Sequence, residues 1–156
     1  MTDMVIGDSA EEKIGKWPDV VKDDALELLL QDCLGAGVSR AVFPLWSNPE
    51  LVIKIEQPCR VFQNVLEWEF WNAVKDDKSI SKWFAPCWHI SNNGRALVMS
   101  RTYPLVVNEV VKIPAWIGDR KPENFGYFEG RVVCHDYGTH FPTVCKGNRM
   151  TKMRGV

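Results

Sequence analysis

Residues 117–138, Ile-Gly-Asp-Arg-Lys-Pro-Glu-Asn followed by Phe-Gly-Tyr-Phe-Glu-Gly-Arg-Val-Val-Cys-His-Asp-Tyr-Gly, constrain the fold more than any other part of this chain. The first part is a polar, charged loop. Phe125 and Tyr127 then lead into a turn at Glu129-Gly130, and Arg131 to Cys134 resume the alternation on the other side. That spacing predicts a β-hairpin, and with it antiparallel structure. Three oxygen-bearing side chains, Asp119, Asn124 and Asp136, punctuate the segment.

A length of 156 residues suits one domain, and an apolar content of 46% with seven tryptophans suits a packed globule. The formal charge of -1 gives no global attraction to nucleic acid or to an anionic membrane, so a membrane role is not expected and nucleic-acid binding is unlikely on charge alone. There is no apolar run of about 18 residues, and Met1-Thr2-Asp3-Met4 lacks the pattern of a signal peptide. The expectation is a soluble, cytoplasmic protein. Five scattered cysteines without a CxxC pair read as reduced thiols, mostly small core residues. A zinc site can be drawn from Cys134, His135, His140 and Cys145, but Cys134 and His135 would point to opposite faces of a strand.

In chain order, residues 1–18 read as a loose lead-in, 19–140 as a single domain and 141–156 as a basic tail. From Asp19, residues Val20, Val21, Ala25, Leu28, Leu29 and Cys33 recur near helical spacing, which predicts a helix ending before Gly35. Gly35 and Gly37 then mark a turn whose backbone N–H groups can approach an anion closely, with Ser39 and Arg40 adding donors at the same end. Leu51 to Ile55 is a β-branched run with Lys54 inside it; a lysine in a buried strand must either reach solvent or meet an anion. Residues 61–74 show a broad apolar stripe of Phe62, Val65, Leu66, Phe70, Ala73 and Val74, as expected of a helix lying on a sheet. Glu67 and Glu69 stand in its middle, and only one of them can face the lysine. After a charged turn at residues 75–78, Trp83–Ser91 and Arg95–Ser100 read as strands joined by the hairpin signal Asn92-Asn93-Gly94. Residues 108–112 have room for a short helix at most. The tail carries Lys146, Arg149, Lys152 and Arg154 with no acidic residue after Asp136, and reads as a frayed, solvated end.

These pieces resemble the protein kinase-like superfamily: an Asp five residues before an Asn, a hairpin, and a second Asp before an aromatic-Gly pair. Leu34 to Phe43 is similar to the Gly-rich loop, with Arg40 where the third glycine would stand, and Val-Ile-Lys at 52–54 is similar to the strand carrying the nucleotide-binding lysine. The resemblance covers residues 34–138. It implies an α+β fold: an N-terminal lobe of antiparallel sheet with one packed helix, plus a reduced C-terminal part carrying the catalytic-loop hairpin. The implied ligands are ATP and Mg²⁺. Gly35, Gly37, Ser39, Arg40, Lys54, Met99 and Ser100 would bind the nucleotide, with 99–103 as a hinge closed by Pro104. Asn124 and Asp136 would hold the metal. Glu67, in preference to Glu69, would orient Lys54; Asp119 would accept the substrate's proton; Lys121 would stabilise the transferring phosphoryl group.

The chain departs from the family in three ways. Only about 15 residues separate the hinge from Asp119, Ile117 replaces the histidine expected before the catalytic Asp, and 18 residues follow Gly138 with no Ala-Pro-Glu motif. Such reduced chains resemble small proteins of bacteriophages and mobile elements. Two functions are therefore expected: phosphotransfer to a protein Ser/Thr hydroxyl, or a weakly active or inactive kinase-like module that binds a partner such as a host protein. Trp46, Trp68, Trp71, Trp83, Trp88 and Trp116 supply candidate interface anchors, and homo-oligomerisation could rebuild the missing platform.

Overall fold

The structure is a computed structural model, and it describes residues 32–37, 39–56 and 62–154. The expected lead-in and most of the expected helix after Asp19 lie outside the described residues.

The fold is mixed α+β and mostly antiparallel. Strands β1 (Gly35–Ala36), β2 (Arg40–Leu45), β3 (Asn48–Glu56), β4 (Cys87–Ile90) and β5 (Ala96–Ser100) form one sheet in the order β1-β2-β3-β5-β4, with each neighbouring pair antiparallel. Helix α1 (Gln63–Val74) and the single turn α2 (Lys78–Ser81) connect β3 to β4. Beyond the sheet, β6 (Val110–Pro114) pairs with β9 (Met150–Arg154), and β7 (Phe125–Phe128) pairs with β8 (Arg131–Cys134). No helix among the described residues is long and apolar enough to cross a membrane.

The period-2 alternation of β3 decides which side chains meet α1. Leu51 and Ile53 pack with Ala96, Val98 and Leu45 on one face of the sheet, while Val52 packs with Leu97, Met99, Phe70 and Val74 on the other. Lys54 has the parity of Val52, so it points at the helix.

The β7–β8 hairpin turns at Glu129 (φ 48°) and Gly130 (φ 73°), the left-handed pair that a two-residue I′ turn requires. Behind it, Tyr103 exchanges both backbone hydrogen bonds with Tyr127 (2.9 and 2.7 Å), so the hairpin is clipped to the segment after β5. Gly126 sits at that crossing, where an added Cβ would lie 2.7 Å from the Tyr103 carbonyl oxygen and 2.8 Å from Thr102 Cβ. Gly126→Ala is therefore expected to cost about 1–3 kcal/mol in urea denaturation. Gly118→Ala, with nothing within 4 Å of its Cβ, should leave the midpoint nearly unchanged.

Several sequence expectations are corrected. The buried face of α1 is Asn64, Glu67, Phe70 and Val74, whereas Phe62 and Leu66 of the expected apolar stripe are exposed. Two polar residues occupy that face because buried partners satisfy them. The strand expected to begin at Trp83 begins at Cys87, since residues 78–81 close a helical turn capped by the Asp77 carboxylate on Ser79 N. The short helix at 108–112 is replaced by strand β6. Its partner is the tail, which is paired along Met150–Arg154 with Met153 buried, because Val111, Ile113 and Met153 share one inward face. Cys87, Cys134 and Cys145 are free and buried, and Cys33 is free and exposed.

Candidate functional site

Four elements deliver ionised side chains to one buried cluster. Lys54 Nζ, from β3, lies 2.9 Å from Glu67 Oε2, from α1. Arg40, at the first position of β2, places Nη1 2.9 Å from Glu67 Oε2 and Nη2 2.6 Å from Asp136 Oδ1. The backbone N–H of Tyr137 donates to Glu67 Oε1 at 3.0 Å, and Lys54 Nζ also donates to the His135 carbonyl oxygen. Glu67 is thus the hub, fully buried, with four donors from three other elements. Burial by itself would raise its pKa, but the charges of Lys54 and then Arg40 overcome that and hold it at about 2. Arg40 is likewise driven by burial toward losing its proton, but the Glu67 and Asp136 carboxylates outweigh this and keep it charged.

Neighbours that sequence reading did not identify hold this cluster in place. Asn64 is completely buried; its amide donates to the Lys54 and Arg95 carbonyls (3.0 and 2.8 Å), and its oxygen accepts from Arg40 at 3.4 Å. It lies three residues before Glu67, which puts it on the same helical face, and that spacing was the available signal. The Glu56 carboxylate accepts from the Gln63 backbone N–H at 2.7 Å, capping α1 where Phe62 offers no side-chain cap. Tyr137 is buried with its hydroxyl donating to the Ala85 carbonyl at 2.8 Å.

The cluster borders a cleft of about 560 Å³ lined by Thr102, Tyr103, Leu105, Pro122, Phe125 and His135. His135 belongs to both: its carbonyl receives Lys54, and its ring faces the cleft. Nε2 donates to the Glu123 carbonyl (2.9 Å), which leaves Nδ1 to accept from the Thr102 hydroxyl (2.7 Å). Burial, then the nearby Lys54 charge, depresses its pKa to about 4, so the ring is neutral at pH 7.

The remaining expected site residues fall in different places. Glu69 is exposed on the far side of α1. Asp119 is half-exposed with Lys121 Nζ 3.9 Å away, in a loop pinned by Arg120 to the Ile117 and Ala115 carbonyls (2.9 and 2.7 Å). Asn124 is buried, and its carbonyl accepts from the His135 N–H at 2.8 Å, which sets it beside the backbone that carries Asp136. Gly35 and Gly37 lie on the exposed β1 hairpin, with Ser39 partly exposed at its turn, but Arg40 turns inward to Glu67 instead of extending the donor set of that loop. Met99 and Ser100 lie within β5 and are buried; the Ser100 hydroxyl accepts from the Trp88 indole at 2.8 Å. Neither lines the cleft, because β5 runs through both positions and the irregular segment after it begins only at Arg101.

At this place the structure presents one ionised oxygen donor to a cation, the half-exposed Asp136 carboxylate, with the Asn124 backbone bonded to the neighbouring His135. No group of three or more His, Cys, Asp or Glu side chains is arranged to hold a metal among the described residues. A single open carboxylate fits Mg²⁺, which keeps waters and phosphate oxygens in most of its coordination positions, and does not fit a closed protein cage. No protein-family model matches the chain, and no curated protein is similar to it.

Proposed function

We propose that the chain is an ATP- and Mg²⁺-binding kinase-like protein that transfers a phosphoryl group to a protein Ser or Thr hydroxyl. The observation that carries this reading is the buried Lys54–Glu67 ion pair at 2.9 Å, one residue's reach from the apolar cleft and beside Asp136. A buried pair of this kind is a weak source of stability. Its value here is to fix a cation behind His135, a residue that lines the cleft, where phosphate oxygens would share it. The cleft takes the base, and Lys54 orients the phosphates. Asn124 and Asp136 would hold Mg²⁺, which would supply positive charge to neutralise the phosphates. Asp119 is half-exposed and Lys121 exposed, in the loop leading to the cleft residue Pro122; there the carboxylate would receive the acceptor's proton and the ammonium would stabilise the transferring group.

Millimolar Mg²⁺-ATP is expected to raise the melting temperature of the wild-type protein, by up to about 2.7 kcal/mol of added stability at a hundredfold excess over Kd. The shift should vanish in Lys54→Ala and shrink on adding a chelator. No shift at millimolar nucleotide would sink the reading.

Two observations favour the second reading, a kinase-like module acting through a partner. Asp136 is already paired with Arg40 at 2.6 Å, and Trp46 and Trp88 are more than half exposed. Asp136→Ala would abolish the biological effect of an enzyme and leave that of an interaction module.

A further inference from the structure

We infer that Arg40 is a built-in competitor for the metal at Asp136, and so sets how much divalent cation the site requires. The inference rests on the nucleotide reading only for the identity of the metal. Arg40 has no exposed role: its guanidinium is buried, and each arm of the fork is committed to a carboxylate. Nη1 meets Glu67 at 2.9 Å and Asn64 Oδ1 at 3.4 Å; Nη2 meets Glu67 Oε1 at 3.1 Å and Asp136 Oδ1 at 2.6 Å. A planar guanidinium spans two acceptors in this way, and a lysine ammonium does not. Lys54 and Arg40 match the charges of Glu67 and Asp136, and the buried Glu56 carboxylate adds a further negative charge near Arg40.

A divalent ion at Asp136 meets two obstacles. Oδ1 already accepts a short charge-assisted hydrogen bond, and the buried guanidinium charge repels the incoming cation at close range. Arg40 cannot relieve this by losing its proton. Either it retracts onto Glu67 alone, or the metal binds only when nucleotide phosphates arrive to compensate its charge. The protein without nucleotide should therefore bind divalent ions weakly.

The test is a Mn²⁺ titration followed by electron paramagnetic resonance on the full chain without nucleotide. Arg40→Gln is expected to tighten Mn²⁺ binding on the order of tenfold over wild type. Arg40→Lys keeps a charge against Glu67 without spanning to Asp136; it should tighten binding in the same direction and serves if Arg40→Gln does not fold. Adding Asp136→Asn to either variant should remove the gain. Unchanged Mn²⁺ affinity in a folded Arg40 variant, or a gain that survives Asp136→Asn, overturns the inference. A parallel ATP thermal shift separates the two proposals. ATP binding with unchanged Mn²⁺ affinity defeats Arg40's role and leaves the nucleotide reading standing. An Asp136-dependent gain without ATP binding does the reverse.

Discussion

Glu67→Ala is expected to lower the unfolding free energy by about 3–5 kcal/mol, the usual result of removing one partner from a buried ion pair. The carboxylate is the common acceptor for Lys54 and Arg40, both at 2.9 Å, and for the Tyr137 N–H at 3.0 Å. Truncation leaves two cations and a backbone donor facing an apolar cavity. For a domain of this size that is a melting-temperature drop of about 10 °C. Glu67→Gln keeps hydrogen-bonding atoms but not the charge, and should fall between. Glu69→Ala, two residues away and exposed, should stay within about 0.5 kcal/mol of wild type by urea denaturation. Equal losses at 67 and 69 would mean that the hub does not organise the fold.

Acidification should destabilise the protein in two successive steps. The unfolded chain protonates His135 near 6.5, whereas the folded protein, in which burial and Lys54 oppose the charge, resists until about 4. Between those values the unfolded state binds more protons, so stability falls as pH drops from 6.5 to 4, by roughly 3 kcal/mol, and this group contributes nothing above 6.5. His140 adds to the same step, since burial lowers its pKa as well. Glu67 acts lower down. Its folded pKa of about 2 against an ordinary 4.5 supplies stability that is complete above 4.5 and is lost as pH falls toward 2. Urea midpoints between pH 7.5 and 4.5 isolate the first step, and His135→Gln should flatten it. A wild-type midpoint that stays level over that range would show that the folded protein accepts the imidazole proton freely.

The sequence by itself determined the elements whose signals are local. The Asn92-Asn93-Gly94 hairpin, the Glu129-Gly130 turn and the strand around Lys54 are legible because turn chemistry and period-2 alternation act over a few residues. That only one of Glu67 and Glu69 can face Lys54 was also legible, because two residues turn a helix by about 200°; the preference for Glu67 came from the resemblance. Tertiary structure decided what depends on residues far apart in the chain. Arg40 reads as a loop donor until Glu67 and Asp136, 27 and 96 positions away, provide acceptors that pull it inward. Asn64 looks like a polar break in an apolar stripe until the Lys54 and Arg95 carbonyls satisfy it. The tail looks solvated because Lys152 and Arg149 dominate its composition, and it becomes a strand because β6 has an open edge and Met153 a place in the core. In each case a buried polar group or an unpaired strand edge is costly in isolation, and only the assembled fold supplies the partner that removes the cost.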